Sequence, residues 1–230
     1  MRSTNLGSRL WTKIFAGAPS RRSRFHDQDG KLIPLGRLLR NGPVALFSTI
    51  LRVLTSHLPP KPWLSYDGQQ QLAAHLTPTS SVLEFGSGMS TRWLLERSGS
   101  VLSFEDTAGW YERVRAQLPP RAKIRYILAQ TPGDYTAVPG GELFDLVLVD
   151  GRWRDQCVAV GLQHLKPGGV LYLDNSDKYA DDHCGDVPRA VRLMQNAALS
   201  NGWELREFTD FAPALFFAQS ALMLLKSKET

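Results

Sequence analysis

Ser81-Val82-Leu83-Glu84-Phe85-Gly86-Ser87-Gly88-Met89-Ser90-Thr91 is the stretch that decides how this chain folds. Ser81 to Phe85 is a short apolar run broken by one carboxylate, which reads as a buried strand. Gly86 and Gly88 allow a tight turn whose backbone N–H groups stay open to a ligand. Ser90 and Thr91 are natural caps for the helix that follows, where Trp93, Leu94 and Leu95 fall at helical spacing. A second apolar strand, Val101 to Phe104, then ends in Glu105-Asp106. A carboxylate at the tip of the next parallel strand is placed to hold the two hydroxyls of a ribose.

Outward from this unit, strands and helices alternate. Trp110 to Leu118 reads as a helix closed by Pro119-Pro120, and Lys123 to Leu128 as the third strand. A loop from Ala129 to Gly141 follows, then a fourth strand, Leu143 to Val149, ending in Asp150-Gly151. Arg154 to Leu165 is helical, and Lys166-Pro167-Gly168-Gly169 turns into a fifth strand ending in Asp174-Asn175. Pro188 to Ser200 reads as a helix with Pro in its first turn. Trp203 to Phe208 and Ala221 to Leu225 close the chain as two strands, joined by a long aromatic-rich connection from Phe211 to Phe217. The alternation predicts an α/β fold with a doubly wound, mostly parallel sheet.

Glu84-Phe85-Gly86-Ser87-Gly88 with Glu105, Asp150 and the later Lys-Pro-Gly-Gly resembles the class I S-adenosylmethionine-dependent methyltransferases from about Trp63 to the C-terminus. The resemblance implies a Rossmann-like sheet of seven strands with an antiparallel last strand. It also implies S-adenosylmethionine as cofactor, held by Glu84, Gly86, Ser87, Gly88, Ser90, Thr91, Glu105, Asp106 and Asp150, with Gln130 near the adenine edge. A nicotinamide cofactor fits less well. Its fingerprint needs a small residue where this chain has Thr91, and an apolar strand where this chain has Glu84.

Four acidic positions, Glu84, Glu105, Asp150 and Asp174, end predicted strands and so meet at one rim. Buried unpaired charge is costly, and a cationic sulfonium ligand gives these groups a partner. Asp150 is the expected base or substrate anchor. His183, in the loop after the fifth strand, is a second candidate base, against the ordinary reading of a solvated loop histidine. Asp150, Asp174 and Asn175 also resemble the metal-ligand set of catechol O-methyltransferase-like enzymes, and three oxygen ligands suit Mg²⁺. Arg152 and Arg154 oppose a cation there and read instead as grips on an anionic acceptor. Tyr66, in the aromatic lead-in with Trp63, is a further candidate for the substrate pocket or for packing.

Size and composition bound the rest. At 230 residues, with 43% hydrophobic and 21% charged side chains, the chain suits one soluble domain with an appendage. Cys157 and Cys184 form no C-x-x-C pattern, so neither a disulfide framework nor a zinc signature is expected, and a reducing cytoplasm fits. No secretion signal is convincing: Trp11 to Ala18 is short and broken by Lys13. The net charge of +5 is uneven: residues 1–60 carry ten basic and two acidic side chains, while the remainder carries 17 and 20. The basic character therefore lies in the N-terminal part and does not surround the predicted site, which weakens any argument from the high pI for a nucleic-acid enzyme; RNA stays open as an acceptor but no recognition module supports it. No DNA-binding module is visible, and Asp150-Gly151-Arg152-Trp153 lacks the Pro-Pro-aromatic motif of amino-methylating DNA enzymes. A nucleophile elbow is excluded because Gly86-Ser87-Gly88 is not G-x-S-x-G.

The expected division is residues 1–60, a basic arm and helical extension, and residues 61–230, the cofactor-binding domain, with Pro59-Pro60 as a stiff linker. Residues 1–30 read as a frayed or weakly helical arm. Leu32 to Leu58 reads as helical, broken at Gly42-Pro43. This segment is either a cap packed on the domain or a basic amphipathic element at a membrane surface. The expected function is methylation, at oxygen, of a small-molecule or glycan-type acceptor. The contrasting expectation is a binding or scaffold protein with a vestigial pocket, whose basic arm contacts a membrane or partner.

Overall fold

The computed structural model describes residues 7, 11, 20–55, 61–119, 123–178 and 185–228. Seven strands form one sheet: β1 (Ser81–Phe85), β2 (Ser100–Glu105), β3 (Ile124–Leu128), β4 (Phe144–Val149), β5 (Leu165–Leu173), β6 (Glu204–Ala212) and β7 (Leu215–Leu225). Their order is β3-β2-β1-β4-β5-β7-β6, with β1 to β5 parallel and β7 antiparallel to both of its neighbours. The helices are α1 (Leu35–Thr55), α2 (Tyr66–His75), α3 (Met89–Leu95), α4 (Ala108–Arg115), α5 (Pro132–Tyr135), α6 (Arg154–Gln163) and α7 (Val187–Asn201).

Strand side chains alternate between the two faces, and the core divides accordingly. Leu83, Phe85, Val147, Val149, Leu171 and Leu173 pack on one side with Cys157 and Val158 of α6 and Ala190 and Met194 of α7. Val82, Leu146, Leu148, Val170 and Tyr172 pack on the other with Leu72 of α2 and Trp93 and Leu94 of α3. Strand order reverses between β1 and β4, where chain connections leave in opposite directions and open a crevice at the carboxyl ends.

Three local expectations change. First, Gly42-Pro43 does not break α1, which runs through with Pro43 inside it. Tertiary bonds hold the helix on both sides of the proline: Asn41 donates to Asp210 at 2.7 Å, and the Ser48 hydroxyl accepts from the Ala214 N–H at 3.0 Å. Second, the last two strands are long and their connection is short. Phe211, Phe216 and Phe217 lie within strands, and Phe211 stacks on Phe216 with centroids 5.3 Å apart. Third, residues 20–30 are not a frayed arm. The Ala218 N–H donates to the Arg24 carbonyl at 2.7 Å, and Arg21 pairs with Asp177 at 3.3 Å. Asp27 is fully buried, accepting from the Lys31 N–H at 2.7 Å and the Ser220 hydroxyl at 2.5 Å.

The same residues explain where this segment sits. β5 pairs with β7 only from Val170 to Leu173, against Leu225 to Leu222. The other half of β7 therefore extends past the carboxyl end of β5, and residues 20–33 lie beside it. A small cluster of Ile33, Ala45, Phe211 and Ala218, with Tyr66 packed against it, ties this segment and α1 to the projecting hairpin.

Candidate active site

The crevice begins with Gly86, whose φ of +98° lies in the left-handed region. A Cβ here would come within 2.5 Å of the Gly151 nitrogen and 2.7 Å of the Asp150 carbonyl carbon. Only glycine allows the turn after β1 to press so closely on the turn after β4. Gly151 is equally confined, because a side chain would collide with the Tyr135 hydroxyl. Gly88, by contrast, has open space: nothing lies nearer than 3.8 Å to an added Cβ.

Between the two turns lies a cavity of about 470 Å³, lined by Gly86, Ser87, Glu105, Asp106, Thr107, Trp110, Asp150, Gly151 and Arg152. The volume falls within the usual range for small-molecule sites. Glu105, at the tip of β2, accepts from the Ser87 N–H at 3.1 Å and its hydroxyl at 2.8 Å, and from the Thr107 N–H at 3.0 Å. Burial pushes its carboxyl above the usual range despite these bonds. Ser87 also meets the Tyr126 hydroxyl at 2.6 Å, and the Trp110 indole donates to the Ser87 carbonyl at 2.8 Å. The glycine turn is thus held from three sides before any ligand arrives.

Glu84 projects from β1 to the face covered by α3 and is fully buried. Its Oε2 accepts from the Thr91 hydroxyl at 2.7 Å and the Ser103 hydroxyl at 2.6 Å. Its Oε1 is buried with no hydrogen-bond partner. Burial raises the carboxyl to about 7, against the opposing effect of the hydroxyl bonds. Thr91 in turn accepts from the Gly88 N–H at 3.0 Å, so this carboxylate and the glycine turn form one hydrogen-bonded unit.

Asp150 and Asp174 follow β4 and β5, and Arg154 on the first turn of α6 lies between them. Its guanidinium is 6% exposed and donates to Asp150 Oδ1 at 3.2 Å, to the Asp174 carbonyl at 2.5 Å and to the Gly151 carbonyl at 2.9 Å. Burial raises the carboxyl of Asp150, opposed by Arg154 and Lys178. Burial raises that of Asp174 well above its usual value, with the charge of Asp150 adding to the effect. Asp174 Oδ1 has no partner. The Asp150 side chain keeps 30% of its surface exposed and lines the cavity.

These facts correct several assignments. Arg154 is not available to grip an acceptor, because burial and four hydrogen bonds occupy it. At Asp150, Asp174 and Asn175, the Arg154 guanidinium takes an oxygen of Asp150 and sets a fixed positive charge beside it, which opposes a cation there. Among the described residues, no group of three or more His, Cys, Asp or Glu is gathered to hold a metal. Arg152 reaches across the cavity mouth to Asp106 at 3.2 Å and lies over the Trp153 ring at 4.9 Å. Tyr66 packs on the Ile33–Phe211 cluster and does not line the cavity. Trp63 lies under the Arg52 guanidinium at 5.1 Å. Gln130 is exposed and outside the lining. Ser90 and Thr91 are buried beside Glu84 and shape the turn without lining the cavity. His183 lies outside the described residues. Trp110, Thr107 and Gly151 line the cavity without having been singled out, and only the proximity of Trp110 to Glu105-Asp106 could have signalled it.

No protein-family model matches the sequence, and no curated protein matches it by sequence. Solved structures do match in shape. Cofactor-bound Rv0187 from MTB aligns with a TM-score of 0.58 and 18% identity over 100% of this chain and 99% of that one. The O-methyltransferase TomG from Streptomyces achromogenes, in complex with SAM, aligns with a TM-score of 0.56 and 19% identity over 80% and 89%. An O-methyltransferase from Bacillus cereus in complex with SAH aligns with 0.55 and 19% over 79% and 90%. The fold is that of the class I S-adenosylmethionine-dependent methyltransferases. In this methyltransferase fold the crevice at the β1–β4 reversal is the place for a ligand, and the cavity described above lies there.

Proposed function

We propose that this protein is an S-adenosylmethionine-dependent methyltransferase acting at oxygen on a small-molecule or glycan-type acceptor. The observation that carries the reading is the crevice itself: the Gly86 turn pressed on Gly151, flanked by the carboxylates of Glu105 and Asp150. The residues fit the cofactor. Glu105 has lone pairs left for ribose hydroxyls, the Ser87 and Gly88 backbone borders the amino-acid end, and the Trp110 indole walls the cleft.

When bound, the cofactor supplies an electrophilic methyl group. The chain then has to orient an acceptor and take a proton from it, and orientation can account for ~7–11 kcal/mol at best. Asp150 is the base in this reading. Arg154 favours its ionised form and fixes its direction, while Asp174, touched by Arg154 only through its carbonyl, keeps its own proton. A positioned base is worth roughly two to four powers of ten. Arg152 bridges to Asp106 at the mouth and closes the cleft over its contents.

Titration calorimetry with S-adenosylhomocysteine tests this reading. Saturable binding at one site supports it, whereas no detectable binding favours a non-catalytic scaffold with a vestigial cleft.

A further inference from the structure

We infer that α1 docks this protein on an anionic lipid surface. One face of α1 packs on the β6–β7 hairpin through Asn41, Gly42, Ala45, Thr49 and Val53. The opposite face is also apolar, and it is open. Leu35, Leu39, Val44, Phe47, Leu51 and Leu54 are exposed, with Leu39 at 69%, Phe47 at 68% and Leu54 at 52%. At 100° per residue, Leu39, Phe47, Leu51 and Leu54 fall on one arc, continued by Val44. A water-facing helix ordinarily carries charges there. A run of large apolar side chains of this extent marks a contact surface.

The charge around the stripe selects the occupant. Between Leu35 and Thr55 the only charged residues are Arg37, Arg40 and Arg52. Asp67 neutralises part of the first pair. Residues 1–60 still carry ten basic side chains against two acidic ones. An exposed apolar face on a helix whose own charged side chains are all cationic is the pattern of a helix lying in an anionic headgroup layer. No helix among the described residues is long and apolar enough to cross a membrane, so the contact is one of resting on the surface.

Position links the surface to the site. α1 covers the hairpin end that projects past the carboxyl end of β5, through Ser48 and Arg52 to Ala214. Asp150 and Asp174 lie at that same end of the sheet. The docked helix and the crevice thus lie at the same end of the sheet, and the docking does not depend on the proposed methyl transfer.

The test is co-sedimentation of the full chain with vesicles of mixed phosphatidylglycerol and phosphatidylcholine, beside vesicles of phosphatidylcholine alone. The anionic vesicles should bind it, and added salt should release it. The double variant Leu39→Glu, Phe47→Glu should bind about tenfold more weakly, while Leu199→Glu, on the exposed side of α7, should bind as the parent does. Both variants change exposed side chains, and unaltered S-adenosylhomocysteine titrations would show that the site is intact. Absence of binding to anionic vesicles, or equal binding by the double variant, overturns the inference. So does a dimer in sedimentation equilibrium that the double variant dissolves without any vesicle binding, since a second copy would then be the occupant.

Discussion

Glu84 is a single side chain on which strand and turn converge. A carboxylate between Leu83 and Phe85 would be out of place in a buried strand unless the opposite face gave it donors, and Thr91 and Ser103 do so. Because its folded-state value is raised to about 7 from 4.5, the folded protein holds a proton there that the unfolded chain has released. Stability from this group is full below the unfolded value and is lost as pH rises through the folded one. The loss is on the order of 3 kcal/mol, spread over that interval. Thermal unfolding of the ligand-free chain should show the midpoint falling across this window, and Glu84→Gln should flatten the fall. An identical pH profile for the variant would mean that the proton resides elsewhere. Glu84 stood out in the sequence because an acid before a glycine turn breaks the apolar pattern. Its hydroxyl partners were not legible, since Ser103 reaches it only through the β1–β2 register.

At the scale of elements, α6 sets a fixed guanidinium between the turns that follow β4 and β5. Its first turn sends Arg154 back beneath Asp150 and the Asp174 carbonyl, a direction no spacing in the sequence reveals. The residues themselves, acids after β4 and β5 with arginines close by, were legible. Whether an arginine faces an acceptor or the protein depends on how the helix leaves its strand, and Trp153 with φ 49° sets that angle. Arg154→Ala should destabilise the protein by about 1–3 kcal/mol in urea unfolding, because the buried Asp174 carbonyl and the half-buried Asp150 lose their donor. Arg154→Lys should recover less than half, as an ammonium cannot serve acceptors on two sides at once. A loss below about 1 kcal/mol would show the arginine to be free, as its reading as an acceptor grip requires. Gln130 and Tyr66 illustrate the same limit: loop and helix-end residues take their direction from packing that local pattern does not encode.

For the whole molecule, alternation of strand and helix was sufficient to read the parallel sheet, since each βαβ unit is a local pattern. The N-terminal part was not readable in that way. Asp27 meets Ser220 across 193 residues, and nothing in the composition of residues 20–33 announces a partner so distant. Their polar, arginine-rich character resembles a frayed arm until the projecting half of β7 supplies acceptors for it. Asp27→Ala should therefore cost about 2–4 kcal/mol by leaving buried donors unpaired. A frayed arm would show a change within about 0.5 kcal/mol. The claim on which the account turns is that the carboxylates around the β1–β4 crevice serve a methyl donor. Calorimetric titration of S-adenosylhomocysteine into the parent chain and into Glu105→Ala tests it most directly. The account predicts one-site binding by the parent and a loss of roughly tenfold or more in the variant, the worth of a charged hydrogen bond of about 1.5–3 kcal/mol. Equal affinity in both proteins, or no heat from either, would contradict it.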